Sequence, residues 1–344
     1  MAAGSKSAVV LAVAGNGFLT VAKFVAFLLS GSGAMMSEAI HSFADTANQV
    51  LLMVGIGRSD RPATAAFHYG FGAERFFFAL MSAVGIFILG AGVTVYHGVH
   101  TLLHPGELNV GWLDYSVLAL AFIVEMYVLL QAVKVANTER GEKPLMAFLR
   151  ESSDPTLAAV LLEDGVACLG VLIAASGMLA AQLTGNPLFD SLATLTIGLL
   201  LGLVAVWLGY KNRGLILGRA IPVEVQEEVH SYLMAQPSVE SVNAVKTRIV
   251  GAGNFKYKAE IDWDGAFLGE QCADWVGEQA STLGTPQGAK AFARSFGAKM
   301  TQALALEIDR MEGELRQRHP QLQHLDFESD PGRDVPPGAG GPIG

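Results

Sequence analysis

The chain has 344 residues, 51% of them hydrophobic and 16% charged, and a mean hydropathy of +0.39, which is too apolar for a soluble protein of ordinary composition. A net charge of −9 offers no basic stripe to neutralise phosphates and excludes nucleic acid as a partner. Two cysteines, Cys168 and Cys272, make neither a disulfide framework nor a Cys-x-x-Cys pair.

A helix needs about 20 mostly apolar residues to cross a bilayer. Stretches of that kind occur at 7–30, 33–57, 73–103, 112–137, 155–184 and 187–210. The first, beginning near Ser7, lacks a cleavage-site pattern and reads as a retained membrane helix. Glycine and other small residues recur within the six, as packing between membrane helices requires. Lysine and arginine sit in alternate connections: Arg58, Arg61 and Arg75, then Lys134, Arg140, Lys143 and Arg150, then Lys211, Arg213 and Arg219. The connections around 31–33, 104–114 and 184–187 carry none. Cytoplasmic loops retain positive charge, so both termini are expected in the cytoplasm. With no evident transit peptide at the short amino terminus, the plasma (inner) membrane is the expected location.

Residues 1–212 therefore read as a six-helix membrane domain and 213–330 as a polar domain of another kind. In the latter the pattern predicts a helix at 223–235, a strand at 239–249, a turn at 251–254 and a strand ending at Trp263. That strand alternates strictly, with Lys256, Lys258, Glu260, Asp262 and Asp264 on one face and Tyr257, Ala259, Ile261 and Trp263 on the other. A long amphipathic helix at 288–318 and a strand at 324–328 complete an αββαβ order, the mark of a small two-layer α+β domain. Residues 265–287 match no element, and 331–344, rich in proline and glycine, are expected to be disordered.

Ionisable groups in hydrocarbon cost about 2.5–3.5 kcal/mol each on insertion scales, so those that persist point to function. The second span holds Glu38, His41, Asp45, Asn48 and Gln49; the fifth holds Glu163 and Asp164. His41 and Asp45 are four residues apart and share a helix face. If the fifth span faces the second, Asp164 adds a third ligand, and one imidazole with carboxylate oxygens suits zinc or another borderline divalent ion. Calcium prefers more oxygens and no histidine. The plainer alternative is a His41–Asp45 pair that merely bridges packed helices, which leaves the carboxylates of the fifth span unexplained. No His-Glu-x-x-His pair is present to suggest a protease. His97, His100 and His104 form a stripe at the end of the third span, a weaker pointer to an exit site.

The segments His41 to Asp45 (HSFAD), Gly70 to Gly72 (GFG), 189–202 (FDSLATLTIGLLLG) and 215–229 (LILGRAIPVEVQEEV), in this order, resemble the cation diffusion facilitator family of zinc transporters. LLED at 161–164 and KAEIDWDG at 258–265 are similar to its zinc transporter nine-like branch. The resemblance implies six transmembrane helices, a ferredoxin-like cytoplasmic domain, a homodimer in the lipid bilayer, and export of zinc from the cytoplasm in exchange for protons. It implies no enzymatic activity and no bound cofactor. Manganese, cobalt or iron could fill a site of this type.

His41, Asp45 and Asp164 match the family's ligand positions. Val160 stands where many members place a fourth ligand, and a valine cannot bind metal. Glu163 is the leading substitute, with Asn16, Asn48 or water as alternatives, and Cys168 shares the face of Asp164 one turn on. The valine also motivates an alternative function, a transport-incompetent scaffold or partner subunit. In the 63–72 loop Phe67 occupies the position of the family's usual histidine, with His68 beside it, which argues against an additional metal site there. The row Glu260, Asp262 and Asp264 reads as a solvated strand face, and His230, His319 and His324 are scattered, so a regulatory metal in this domain is not expected.

Overall fold

The computed structural model describes residues 2–30, 33–104 and 111–330, and among them the side chains other than those of 2–6, 26, 27, 29, 30, 33–41 and 113. The expected tail at 331–344 lies outside the described residues, as do parts of the connections at 31–33 and 104–114. The chain divides into two units, Met1–Gly218 with Val250–Gly253, and Arg219–Ile249 with Asn254–Gly344.

The long elements of the first unit are helices. Its long helices are α1 (Ala2–Ser30), α2 (Gly33–Ser59), α3 (Glu74–Gly85) continuing through a π-helical turn at Ile86–Gly92 into α4 (Val93–Leu103), α5 (Trp112–Arg140), α7 (Pro155–Thr184) and α8 (Leu188–Leu217). The short α6 (Leu145–Glu151) lies in a connection where sequence periodicity gave no helix. Among the described residues five of these spans are long and apolar enough to cross a membrane, and α2, at 27 residues, is the sixth of spanning length. Each expected span overlaps one of these helices, with different ends. The sixth helix runs further, to Leu217, because the chain has no breaker before Gly218, whose φ of 90° is a left-handed cap that favours glycine.

Side-chain exposure reverses the pattern of a water-soluble bundle. Leu183 is 78% and Leu203 68% exposed, while Lys23, Asn48, Gln49, Arg75 and Asp164 are buried. Apolar groups turned outward and polar groups turned inward are what a hydrocarbon solvent demands. The interior is lined with small residues, among them Ala8, Ala12, Ala79, Ala83, Ala132, Ala158 and Ala159. These let helices approach closely: a Cβ on Gly177 would lie 2.5 Å from the Cβ of Ala193, and one on Gly198 2.7 Å from Val95.

One charged contact anchors the start of α7. Asp154 caps the helix, accepting from the Thr156 backbone N–H at 2.9 Å, with Pro155 at the first position. Its other oxygen accepts from the Arg75 guanidinium at 2.7 Å, and Arg75 Nε donates to Thr156 Oγ1 at 2.9 Å. Arg75 is only 2% exposed. An arginine expected in a cytoplasmic connection is therefore a buried tie between α3 and α7. Lys211 is likewise buried and donates to the Leu149 carbonyl.

The second unit is built from α9 (Val223–Met234), β1 (Val239–Gly251), β2 (Asn254–Trp263), α10 (Gly265–Glu270), α11 (Ala273–Gln279), α12 (Pro286–Arg318) and β3 (Leu322–Ser329). The expected αββαβ order is present, with α10, α11 and a 3-10 turn at Ala280–Gly284 filling the stretch left unassigned. The sheet order is β1-β2-β3, and β2 pairs parallel with β3 so that Tyr257 opposes Leu325 and Ala259 opposes Phe327. The alternation of β2 places Phe255, Tyr257, Ala259 and Ile261 in the core with Leu233, Met311, Leu315 and Leu322. On its other face Lys258 pairs with Glu328 and Lys256 with Asp326, as a solvated row would. Arg310 holds Glu307 by two hydrogen bonds, and the Ser238 hydroxyl donates a third at 2.7 Å.

Two outcomes are expected. Arg75→Met strands the Asp154 charge in the interior and should cost about 3–5 kcal/mol, seen as a large fall in the melting temperature of the detergent-solubilised chain; an unchanged melting temperature would show that the tie carries no stability. In the second unit, hydrogen bonds from Arg310, then from Ser238, hold Glu307 below its ordinary carboxyl value. The stability this contributes is complete above about pH 4.5 and is lost as pH falls through the lowered value. Acid denaturation of Arg310→Ala should therefore show a shallower pH dependence below that point than the parent chain.

Candidate metal site

Five helices of the first unit, α1, α2, α5, α7 and α8, converge on a cavity of about 80 Å³. Its polar wall consists of Asn16 and Lys23 from α1, Asp45 and Gln49 from α2, Glu125 from α5, and Glu163 and Asp164 from α7. The rest is apolar, including Ile86 at the start of the π-helical turn, Leu118, Ile197 and Leu201. Asp45 is 12 residues into α2 and Glu125 13 into α5, so both lie about 18–20 Å along their helices. The cavity is thus flanked by helix middles rather than ends.

A hydrogen bond links α2 to α7 at the cavity: Gln49 Nε2 donates to Asp164 Oδ1 at 3.4 Å. The second and fifth spans face one another at the level of the proposed ligands. Asp164 is 4% and Gln49 1% exposed, yet Asp164 Oδ2, Gln49 Oε1 and Glu163 Oε1 have no hydrogen-bond partner. Buried oxygens that face a cavity without a donor are poorly satisfied by protein alone. Lys23 donates to Ser42 Oγ at 2.8 Å, bringing a buried ammonium to the residue beside His41.

Of the residues singled out from the sequence, Asp45, Asp164, Glu163 and Asn16 share this wall. His41 lies on α2 one turn before Asp45, with its side chain outside the described residues. Asn48 is buried away from the wall, packed so closely on α3 that a Cβ on Gly85 would lie 2.5 Å from its Oδ1. Val160 is wholly buried in the apolar core, and Cys168 is buried without lining the cavity. Among the described residues no three His, Cys, Asp or Glu side chains are grouped tightly enough to hold an ion. His100 and His104 stack at 5.0 Å on an exposed surface together with His97, and His68 is exposed too.

Two wall residues escaped notice, Lys23 and Glu125, while Gln49 was noted in the second span without being assigned as a ligand. The signal for the two was present. Lys23 and Glu125 are ionisable residues inside spans one and four, and the insertion-cost argument applied to spans two and five applies equally to them.

Among the described residues the wall carries four acidic side chains and one basic one. Such a wall attracts cations and binds a divalent ion more readily than an anion or a neutral solute.

Comparison with known proteins agrees with this chemistry. Residues 9–217 match the cation efflux transmembrane domain. The chain is 38% identical to the mitochondrial proton-coupled zinc antiporter SLC30A9 of Mus musculus over 94% of its own length and 59% of that protein's. The corresponding human protein is also 38% identical, over 94% and 58%. Metal tolerance protein C4 of Arabidopsis thaliana is 34% identical over 94% of this chain and 73% of its own. The chain spans about three fifths of the length of the mouse and human relatives. These mitochondrial relatives overturn the expectation of a plasma (inner) membrane location. The physical reason is that loop charge orients a membrane domain without choosing among membranes. The chain belongs to the cation efflux, or cation diffusion facilitator, family of transporters, in its zinc transporter nine-like branch.

Proposed function

We propose that the chain is a zinc transporter that moves Zn²⁺ away from the side of its carboxy-terminal unit in exchange for protons. The observation that carries this reading is the cavity in which Asp45, Glu125, Glu163 and Asp164 outnumber Lys23. Relatives sharing 94% of the chain are proton-coupled zinc antiporters, which supports zinc as the cargo. A scaffold role has no such support.

In this reading neutral His41 and ionised Asp45 and Asp164 bind the ion, with Glu163 and Asn16 on the same wall. Metal and proton compete for the same lone pairs, because each ligand must lose its proton to bind metal and regains it when metal leaves. The protonated site then returns, carrying protons in the opposite direction. The Gln49–Asp164 hydrogen bond links α2 to α7 at the site. Two copies pairing in the bilayer belong to the same reading.

Zinc uptake into proteoliposomes with an imposed pH gradient tests it. Flux should follow the gradient and fall by at least about 100-fold in Asp164→Ala or Asp45→Ala, a loss of about 2.7 kcal/mol or more. Parent-like flux in either variant would remove the site from the mechanism.

A further inference from the structure

Given the zinc site just proposed, on which this inference rests, three protein ligands leave one position of a four-coordinate ion unfilled. The residue one turn before Asp164 on α7 cannot fill it, since Val160 is an apolar side chain locked in the core and absent from the cavity wall. Glu163 is on the wall, but it adjoins Asp164 on the same helix and approaches the cavity from the same side. Donors around a tetrahedral ion must come from separated directions.

Helix α5 supplies that direction. Glu125 sits near the middle of this 29-residue helix, is 9% exposed and lines the cavity from a helix other than α2 and α7. It shares the cavity wall with Asp164 and Asp45. Two carboxylates held close together in a low-dielectric interior repel, and the arrangement is relieved when a cation lies between them. The same space is faced by Asp164 Oδ2 and Gln49 Oε1, both buried oxygens without a hydrogen-bond donor. These atoms mark where a cation is wanted, and they are independent of Glu125 itself.

We propose that Glu125 is a metal-contacting residue of the transport site, supplying from α5 the ligand that Val160 denies α7. The ion is then held by three helices, α2, α5 and α7, rather than two. Binding draws α5 toward the α2–α7 pair, which ties occupancy of the site to the position of a third helix.

The test is zinc binding to the purified full-length chain, followed by calorimetry and by the rise in melting temperature that zinc produces. Glu125→Gln keeps the shape of the side chain and removes its charge. It should weaken zinc binding at least about tenfold, as loss of even an outer-shell metal contact does, and shrink the zinc-induced rise while the metal-free melting temperature stays near that of the parent. Glu142→Gln, in an exposed connection outside the cavity, is the control and should bind zinc as the parent does. If Glu125→Gln binds zinc like the parent while Asp164→Asn does not, Glu125 is not a ligand and the antiport site stands. If Asp164→Asn also binds like the parent, or the parent binds no zinc, the site and this inference fall together. Should Glu125→Gln fail to fold, Glu125→Asp decides: it keeps the charge but withdraws the oxygens by one methylene, so weakened binding supports the contact and parent-like binding overturns it.

Discussion

The structure of the first unit turns on negative charge gathered in a low-dielectric interior. Asp45, Glu125, Glu163 and Asp164 line one cavity with Lys23. A single isolated carboxylate at that depth is expensive, and several sharing a wall repel as well. Protons or a bound cation lift the penalty, and either can replace the other. A site that needs positive charge but does not specify its source is what the proposed exchange of metal for protons requires.

Such a cavity requires a surround that is firm without being charged elsewhere. Small residues supply the firmness, because alanines and glycines let α7 approach α8, and α4 approach α8, to near van der Waals contact. The Arg75–Asp154–Thr156 tie fixes the end of α7 nine residues before Asp164, about 14 Å along the axis. The π-helical turn at Ile86–Gly92 begins at a cavity-lining residue, at the point where α3 passes into α4. Turns of this kind interrupt the regular ladder and often occur at functional sites.

Much of this was legible in the sequence, for reasons that differ from one part to another. The six long helices follow from apolar stretches alone, since a bilayer sets their minimum length. The core face of β2 follows from its alternation, and Tyr257, Ala259 and Ile261 are all fully buried. The pairing of spans two and five was an inference from where carboxylates sat, and the Gln49–Asp164 contact supplies it directly. Glu125 was not selected because, apart from Asp114 at the very start, it is the lone acidic residue within the expected fourth span, and a single charge carries no spacing pattern to betray its partners. Arg75 and Lys211 were read as solvated loop charges. Only three-dimensional packing reveals that one ties α3 to α7 and the other holds a carbonyl of α6. The short helices α10 and α11 went unassigned because neither is long enough to display a period.

The central claim, that one site trades metal for protons, is tested most directly by following proton movement with no pH gradient imposed. Proteoliposomes containing the chain and a trapped pH indicator are given a zinc gradient. The account predicts that zinc entering the vesicles drives protons out, so the interior becomes alkaline, and that Asp45→Asn abolishes both movements together. Zinc entry with no change in internal pH would contradict it.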